Sequence, residues 1–278
     1  MTVHTALRQG SRLLEEGHVP APRLTAEVLL ARALGCERGR LYSHPEEELS
    51  DLARLHYGRY LHERLRGKPT QYITKRQEFY GREFEVTPEV LIPRPETEHV
   101  VETALAHSSR GRRVVDVGCG SGAIAVTLRL ETGAEVWGTD ISQVALVVAA
   151  RNASRLDAAV HLIVCDVLDA VASRSVDLVV SNPPYVALHE APGLQREVRD
   201  HEPHVALFAG ETGFEIYERI VADGARVLNP GGRLVLELGF KSCDRVRGML
   251  AAGWEDIEII PDLAGIPRVI SARWAGAK

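Results

Sequence analysis

Arg113-Val114-Val115-Asp116-Val117-Gly118-Cys119-Gly120-Ser121-Gly122 is a short apolar run that breaks into three alternating glycines, and the segment that follows, Ala123 to Leu130, is apolar and compatible with a helix. Strand, glycine turn and helix in that order form a nucleotide-binding βα unit, in which glycines let a ligand approach the backbone closely. The same alternation continues along the chain beyond Pro93. Strand-like runs recur near residues 113, 135, 160, 176, 233, 255 and 268, with helix-compatible segments between them. Alternation of this kind predicts an α/β fold with a doubly wound sheet.

The glycine spacing narrows the ligand. A dinucleotide site calls for Gly-x-Gly-x-x-Gly, so that a pyrophosphate can rest on the helix N-terminus. Here the third glycine comes one residue early, and Asp116 precedes the first, an anion that repels phosphate and suits a cation. S-adenosylmethionine carries a sulfonium, an ammonium and no phosphate. Asp116, Gly118, Cys119, Gly120, Ser121 and Gly122 are therefore read as its cradle. Asp140 ends the next strand-like run, Glu135 to Thr139, about 20 residues beyond Gly118, where a carboxylate meets ribose hydroxyls. Charge-assisted hydrogen bonds there contribute about 1.5–3 kcal/mol each. Its plainer role, capping a helix that starts near Ser142, is compatible with the first. Asp166 follows a third run, Val160 to Cys165, and is placed to accept from an adenine amino group with Val167 packed on the ring; the alternative is an ordinary turn residue.

Asn182-Pro183-Pro184-Tyr185 follows the apolar run Val176 to Ser181, which reads as a buried strand whose C-terminal end faces the ligand crevice. Two prolines stiffen the backbone and remove two N–H donors. Such a turn can grip a planar NH2 group: the Asn182 side-chain oxygen and a backbone carbonyl, that of Pro183, each take one hydrogen, and the Tyr185 ring covers the flat face. Asn182, Pro183 and Tyr185 are the candidate catalytic residues, and Pro184 joins them in holding the acceptor. Asn182 also borders the cofactor. The alternative is a turn that closes a loop, with Tyr185 as packing.

With these residues in place the chain closely resembles the release factor glutamine methyltransferases, the PrmC/HemK family. The resemblance extends to Gln71-Tyr72-Ile73, Glu78-Phe79-Tyr80-Gly81 and Leu91-Ile92-Pro93-Arg94-Pro95-Glu96-Thr97-Glu98. The last block is the more specific, because Asn-Pro-Pro-Tyr also occurs in DNA adenine and RNA guanine methyltransferases. Lys75 departs from the pattern, since the family usually has glycine there. The resemblance implies a Rossmann-like class I S-adenosylmethionine-dependent methyltransferase sheet of seven strands, the last antiparallel. It also implies a small N-terminal helical domain over residues 1–73 for recognising the substrate protein, a β-hairpin linker over 74–93 and a methyltransferase domain over 94–278. Its implied reaction is methyl transfer from S-adenosyl-L-methionine to the side-chain N5 of the glutamine in the Gly-Gly-Gln loop of class I peptide chain release factors. The rival is an exocyclic amino methyltransferase of nucleic acid, which needs a recognition module and a basic groove. An NAD-dependent oxidoreductase would account for Asp140 but not for the early third glycine, and a non-catalytic relative would not need both motifs.

Composition is consistent with this reading. A chain of 278 residues that is 45% apolar can bury a sizeable core, and a net charge of −5 argues against bulk attraction to nucleic acid. Cys36, Cys119, Cys165 and Cys243 are widely spaced, which indicates neither a zinc site nor a disulfide framework. Met1 to Gly10 lacks an apolar signal core, and no run approaches the roughly 20 apolar residues of a membrane span, so a cytoplasmic protein without a membrane or a required nucleic acid is expected. From Thr2 to Gly67 the pattern is helical. Leu24, Val28, Leu29 and Leu30 run toward a stop at Gly35, and Leu52, Leu55, Leu61 and Leu65 follow a Ser50 cap. Glu46-Glu47-Glu48 reads as a solvated first helical turn. Phe79, Phe84, Val86, Leu91 and Ile92 around Gly81 and Pro88 read as a hairpin, and Val186 to Gly213 as a lid or partner-binding loop. His201-Glu202-Pro203-His204 reads as a surface loop, because proline interrupts any helical metal geometry; Arg94, Glu96 and Thr97 either help close the cofactor pocket or form a capping segment.

Overall fold

The computed structural model describes residues 1–276. Five helices come first: α1 (Val3–Glu16), α2 (Pro22–Leu34), α3 (Arg38–Ser43), α4 (Asp51–Leu65) and α5 (Thr70–Thr74). Strands β1 (Arg76–Phe79) and β2 (Arg82–Glu85) form a hairpin, whose turn residues Tyr80 and Gly81 both take positive φ, 51° and 68°, as a two-residue turn between twisted strands requires. Then follow α6 (Glu98–Leu105), β3 (Arg113–Val117), α7 (Ala123–Thr132), β4 (Glu135–Asp140), α8 (Gln143–Arg155), β5 (Val160–Val164) and β6 (Val176–Ser181). The stretch beyond β6 holds β7 (Val186–Ala187), α9 (Arg196–His201), α10 (His204–Leu207) and β8 (Phe208–Gly210), with β7 and β8 paired in parallel. The chain finishes with α11 (Glu215–Val227), β9 (Leu228–Glu237), α12 (Cys243–Met249), β10 (Trp254–Pro261) and β11 (Pro267–Trp274). No helix among the described residues is long and apolar enough to cross a membrane.

Two units divide these elements: residues 1–76 with 195–201, and residues 77–194 with 202 onward. In the first, α2 stops at Gly35 in the left-handed conformation, and α4 starts at Ser50, whose hydroxyl accepts from the Ala53 N–H. The faces differ from the sequence expectation. Leu24, Leu52, Leu55 and Leu65 are exposed, while α4 buries Ala53, Tyr57 and Leu61 against Leu14, Leu29, Leu30 and Leu41 and buries Arg64 as well. Arg64 also pairs with Glu197 of α9, within the same unit. Glu46, Glu47 and Glu48 are not a first turn: Glu48 bridges Thr2, Glu47 pairs with Arg40, and the helix begins only at Asp51.

The second unit is built on a sheet of seven strands in the order β10-β11-β9-β6-β3-β4-β5. β3, β4, β5, β6 and β9 are parallel, and β11 runs antiparallel to both β9 and β10, as the family pattern implies. Alternate side chains enter two cores. Val114, Leu178, Val180 and Val235 meet the helix residues Ala125, Val126 and Leu128 on one face, whereas Val115, Val179, Leu234 and Leu236 meet Tyr217 and Ile220 on the other. In register, Val117 faces Thr139 on one side and Ser181 on the other, and Ser181 faces Leu236. The C-terminal ends of four strands thus align along one edge, where the order switches sides between β3 and β6 and a crevice opens.

Candidate active site

The crevice is a cavity of about 240 Å³ in the second unit, and its wall begins at the end of β3. Gly118, Gly120 and Gly122 have φ of 68°, 54° and 80°, a left-handed run that side-chain-bearing residues resist. Gly118 and Gly120 line the cavity, and Gly122 caps α7 where a Cβ would crowd Ala149 at 3.2 Å. Cys119 and Ser121 are buried behind the loop: the Cys119 N–H donates to the Thr139 carbonyl, and Ser121 offers its carbonyl to the Asn152 side chain. Neither side chain is on the cavity wall.

Asp116 is also buried behind the wall, with Oδ2 accepting from the Ala125 N–H at 3.0 Å. Its Oδ1 finds no hydrogen-bond partner among the described residues. Burial, partly offset by the Ala125 bond and reinforced by Asp140, pushes the carboxyl up to about 8. An orphaned buried acceptor beneath the glycine loop fits a cationic ligand and disfavours a phosphate.

Asp140 reaches the cavity itself. Oδ2 accepts from the Gly120 N–H at 2.9 Å and Oδ1 from the Ser142 N–H at 2.8 Å, which fixes the carboxylate and ties the glycine loop to the end of β4. Burial raises its pKa, against the pull of those two N–H groups. Each oxygen keeps lone-pair capacity for a hydroxyl, and the cap of α8 is Ser142 rather than Asp140. Asp166 and Val167 also line the cavity. Val167 takes φ of 51°, unusual for a β-branched residue, and its carbonyl accepts from the Thr139 hydroxyl at 2.9 Å. Asp166 is paired at 3.0 Å with Arg219, a second cavity residue that no motif singled out.

At the end of β6, Asn182, Pro183 and Pro184 line the same cavity. Asn182 Nδ2 donates to Thr97 Oγ1 at 3.1 Å, which leaves Oδ1 as the acceptor end of the amide. Tyr185 is not on the cavity wall: its ring lies against Gly239, where a Cβ would be 2.7 Å from Cδ2, and burial pushes its hydroxyl up to about 12. Glu202, from the segment read as a surface loop, is buried; it accepts from the Ile92 N–H at 3.3 Å and pairs with Arg94, so it anchors the Ile92 to Thr97 segment. Among the described residues no three His, Cys, Asp or Glu side chains form a cluster that could hold a metal ion.

The arrangement brings together a glycine loop, a carboxylate at the end of β4, an apolar and acidic end, and a rigid turn carrying a side-chain amide. Residues 5–74 match the model of the PrmC N-terminal domain, and residues 97–198 match that of the methyltransferase small domain. The chain is 45% identical to the release factor glutamine methyltransferase of Koribacter versatilis, over 98% of this chain and 99% of that protein. It is 38% identical to the release factor glutamine methyltransferase of Bacillus subtilis, over 98% and 97% respectively. Among solved structures, a methyltransferase from Pyrococcus furiosus superposes with a TM-score of 0.55 at 19% identity, covering 74% of this chain and 94% of that one. A Thermus thermophilus 16S rRNA N2 methyltransferase in complex with AdoMet and guanosine gives 0.52 at 20% identity, over 72% and 49%; both likenesses concern the fold.

Proposed function

The chain belongs to the release factor glutamine methyltransferase family, and on that premise we propose that it transfers the methyl group of S-adenosyl-L-methionine to the side-chain N5 of the glutamine in the Gly-Gly-Gln loop of class I peptide chain release factors. The observation that carries this reading is the single cavity wall shared by Gly118, Gly120 and Asp140 on the donor side and Asn182, Pro183 and Pro184 on the acceptor side. When bound, S-adenosylmethionine supplies an electrophilic methyl group on a sulfonium. Asp140 holds the ribose hydroxyls, the backbone of Gly118 and Gly120 admits the methionyl part, and Asp116 leaves an unpaired oxygen, Oδ1, buried beneath the loop. Ile141 and Val167 enclose the adenine, and Asp166, held by Arg219, takes the amino group.

An amide nitrogen is a poor nucleophile because its lone pair is conjugated with the carbonyl. Asn182 Oδ1 and the Pro183 carbonyl accept its two hydrogens, orient the lone pair, and stabilise the positive charge that grows on nitrogen during transfer. Fixed acceptors of this kind cost no reorganisation at the moment of reaction. No base is required beforehand, since the alkylated amide is strongly acidic and loses its proton to water. Tyr185 supports the turn through its packing on Gly239 and meets the acceptor only if the ring turns toward the cavity. The first unit is proposed as a second contact for the release factor, and the reaction is proposed to take place in the cytoplasm.

The test is incubation with methyl-labelled S-adenosylmethionine and a release factor, beside a copy with the Gly-Gly-Gln glutamine replaced and beside DNA and ribosomal RNA. Label on the intact factor alone is the expected result. Label on nucleic acid would transfer the same NH2 grip to the rival reading.

A further inference from the structure

Val167 is the one β-branched residue with a positive φ among the described residues, and it stands on the cavity wall. It occupies the first central position of a turn from Asp166 to Asp169, closed by the Asp169 N–H donating to the Asp166 carbonyl at 3.1 Å. Turns with a positive φ at that position are dominated by glycine, asparagine and aspartate, because a Cβ there crowds the neighbouring carbonyl. A valine keeps such a conformation only where its surroundings hold it. Thr139, fully buried near the end of β4, supplies the hold: its hydroxyl donates to the Val167 carbonyl at 2.9 Å. Cys165 Sγ accepts from the Ala170 N–H at 3.1 Å, a bond that spans the turn without touching Val167. The Thr139 carbonyl accepts from the Cys119 N–H at 2.9 Å, so one residue ties the glycine loop on one side and the Asp166 turn on the other. Thr139 itself is not on the cavity wall.

We propose that Thr139 is a positioning residue for the cofactor, whose hydroxyl holds Val167 in its left-handed conformation and sets the adenine side of the cavity in its binding shape before the cofactor arrives. The φ of Val167 is the torsion between Asp166 and the Val167 side chain, so fixing it fixes the two groups relative to each other. Without the hydroxyl the turn relaxes toward the negative φ that valine prefers, and the two groups separate. The cofactor is then bound only by the fraction of molecules that recover the strained form. Affinity suffers and the methyl-transfer step does not, because Asn182 and Pro183 stand at the end of another strand, β6. The role of Thr139 rests on the reading of Asp166 and Val167 as the adenine wall.

The test uses the full chain with Thr139→Val, which keeps the branched shape and removes the hydroxyl, with Thr139→Ser, with Val167→Gly and with the double variant Thr139→Val/Val167→Gly. Calorimetry gives Kd for S-adenosylmethionine and S-adenosylhomocysteine, and kcat is measured at saturating cofactor. Thr139→Val is expected to raise both Kd values about tenfold, the penalty for a binding form left sparsely populated, with kcat within about twofold. Thr139→Ser keeps Kd within about threefold of the wild type. Glycine adopts a positive φ without strain, so in the Val167→Gly background the same loss of the hydroxyl should raise Kd by less than about threefold. An unchanged Kd in Thr139→Val, even with a lower Tm, would leave the hydroxyl a merely structural role and overturn the proposal. So would an equal rise in the two backgrounds; if Thr139→Val does not fold, Thr139→Ala is judged by the same criteria. Nuclear magnetic resonance of the cofactor-free chain separates the hold on Val167 from the adenine assignment. The Cα and Cβ shifts of Val167 should report the left-handed conformation in the wild type and its loss in Thr139→Val. Shifts that behave so while Kd stays constant would place the failure in the adenine assignment, and identical shifts in the two proteins would place it in the hold itself. Neither Kd nor the shifts depend on which acceptor is methylated.

Discussion

In the proposed reaction Asn182 concentrates the chemistry, because its amide is both held by Thr97 and open to the cavity. Asn182→Ala removes an acceptor that matters most when charge builds on the substrate nitrogen. Single-turnover methyl transfer should therefore fall by about 10²–10³, the scale of one preorganised group, while calorimetry gives a cofactor Kd within about threefold. A variant that kept most of its turnover would displace Asn182 from the mechanism. Asp116 governs a different property. Its carboxyl is pushed up to about 8 in the folded chain, chiefly by burial, and that of Glu237 to about 7 for the same reason. Both values lie above those of the unfolded chain, so the folded state binds more protons than the unfolded one between about pH 4 and pH 8. The stability these neutral carboxyls confer is complete below that window and is lost as pH rises through it. Glu215, held down to about 2 by the Thr212 N–H, acts in the opposite sense but only below the window. Thermal melts from pH 5 to 9 should show Tm falling, with a shallower slope in Asp116→Asn. The glycine loop, Asp140 and Asn182 were legible from sequence because each directly follows an apolar strand, which locates it at the sheet edge. Thr97, Glu202 and Arg219 were not assigned these roles: each is an ordinary polar residue that acquires its role from a partner far away in the chain.

Among the elements, Lys75 exposes a local strain. It ends α5 with φ of 60°, and its N–H donates to the Gln71 carbonyl, the left-handed cap in which glycine is most at ease. The family's usual glycine thus has a backbone explanation, and Lys75→Gly should stabilise the chain by up to about 1 kcal/mol, since the strain relieved exceeds the added freedom of the unfolded chain. A rise in Tm of about 2–4 °C would register it, and a fall would mean that the lysine side chain contributes more than the strain removes. The central strands β3, β6 and β9 were legible because parallel strands covered on both faces read as continuous apolar runs. The face of α4 was misread for an equally physical reason. Leucine spacing suggested Leu52 and Leu55, yet the helix turns Tyr57 inward, where its hydroxyl reaches the Ala6 carbonyl at 3.4 Å and fills the space beside Gly10. A small residue on α1 and a large one on α4 determine the packing, and periodicity within one helix carries no record of the other.

At the scale of the whole molecule, the residues proposed for the chemistry all belong to the second unit, while the first holds none of the cavity wall. A glutamine on a short loop offers far less surface than the roughly 800 Å² per partner of a specific protein interface, so selection of a release factor needs more contact than the cavity supplies. The first unit provides apolar surface for it. Leu52 and Leu55, three residues apart on α4, are 62% and 69% exposed, side by side on one helical face. Removing Met1 to Gly67 would be a poor test, because residues 195–201 group with that unit and would lose Arg64 as the partner of Glu197. Substituting Leu52→Glu and Leu55→Glu leaves the buried face of α4 intact, so Tm should stay within about 2 °C, as expected for exposed positions away from structural features. KM for the intact release factor should rise about tenfold, kcat and cofactor Kd should hold, and a short peptide carrying Gly-Gly-Gln should be methylated as well as before. An unchanged KM for the intact factor would remove the first unit's α4 face from recognition. An equal rise for factor and peptide would instead trace the effect to the cavity, and recognition would then have to be carried by the second unit alone.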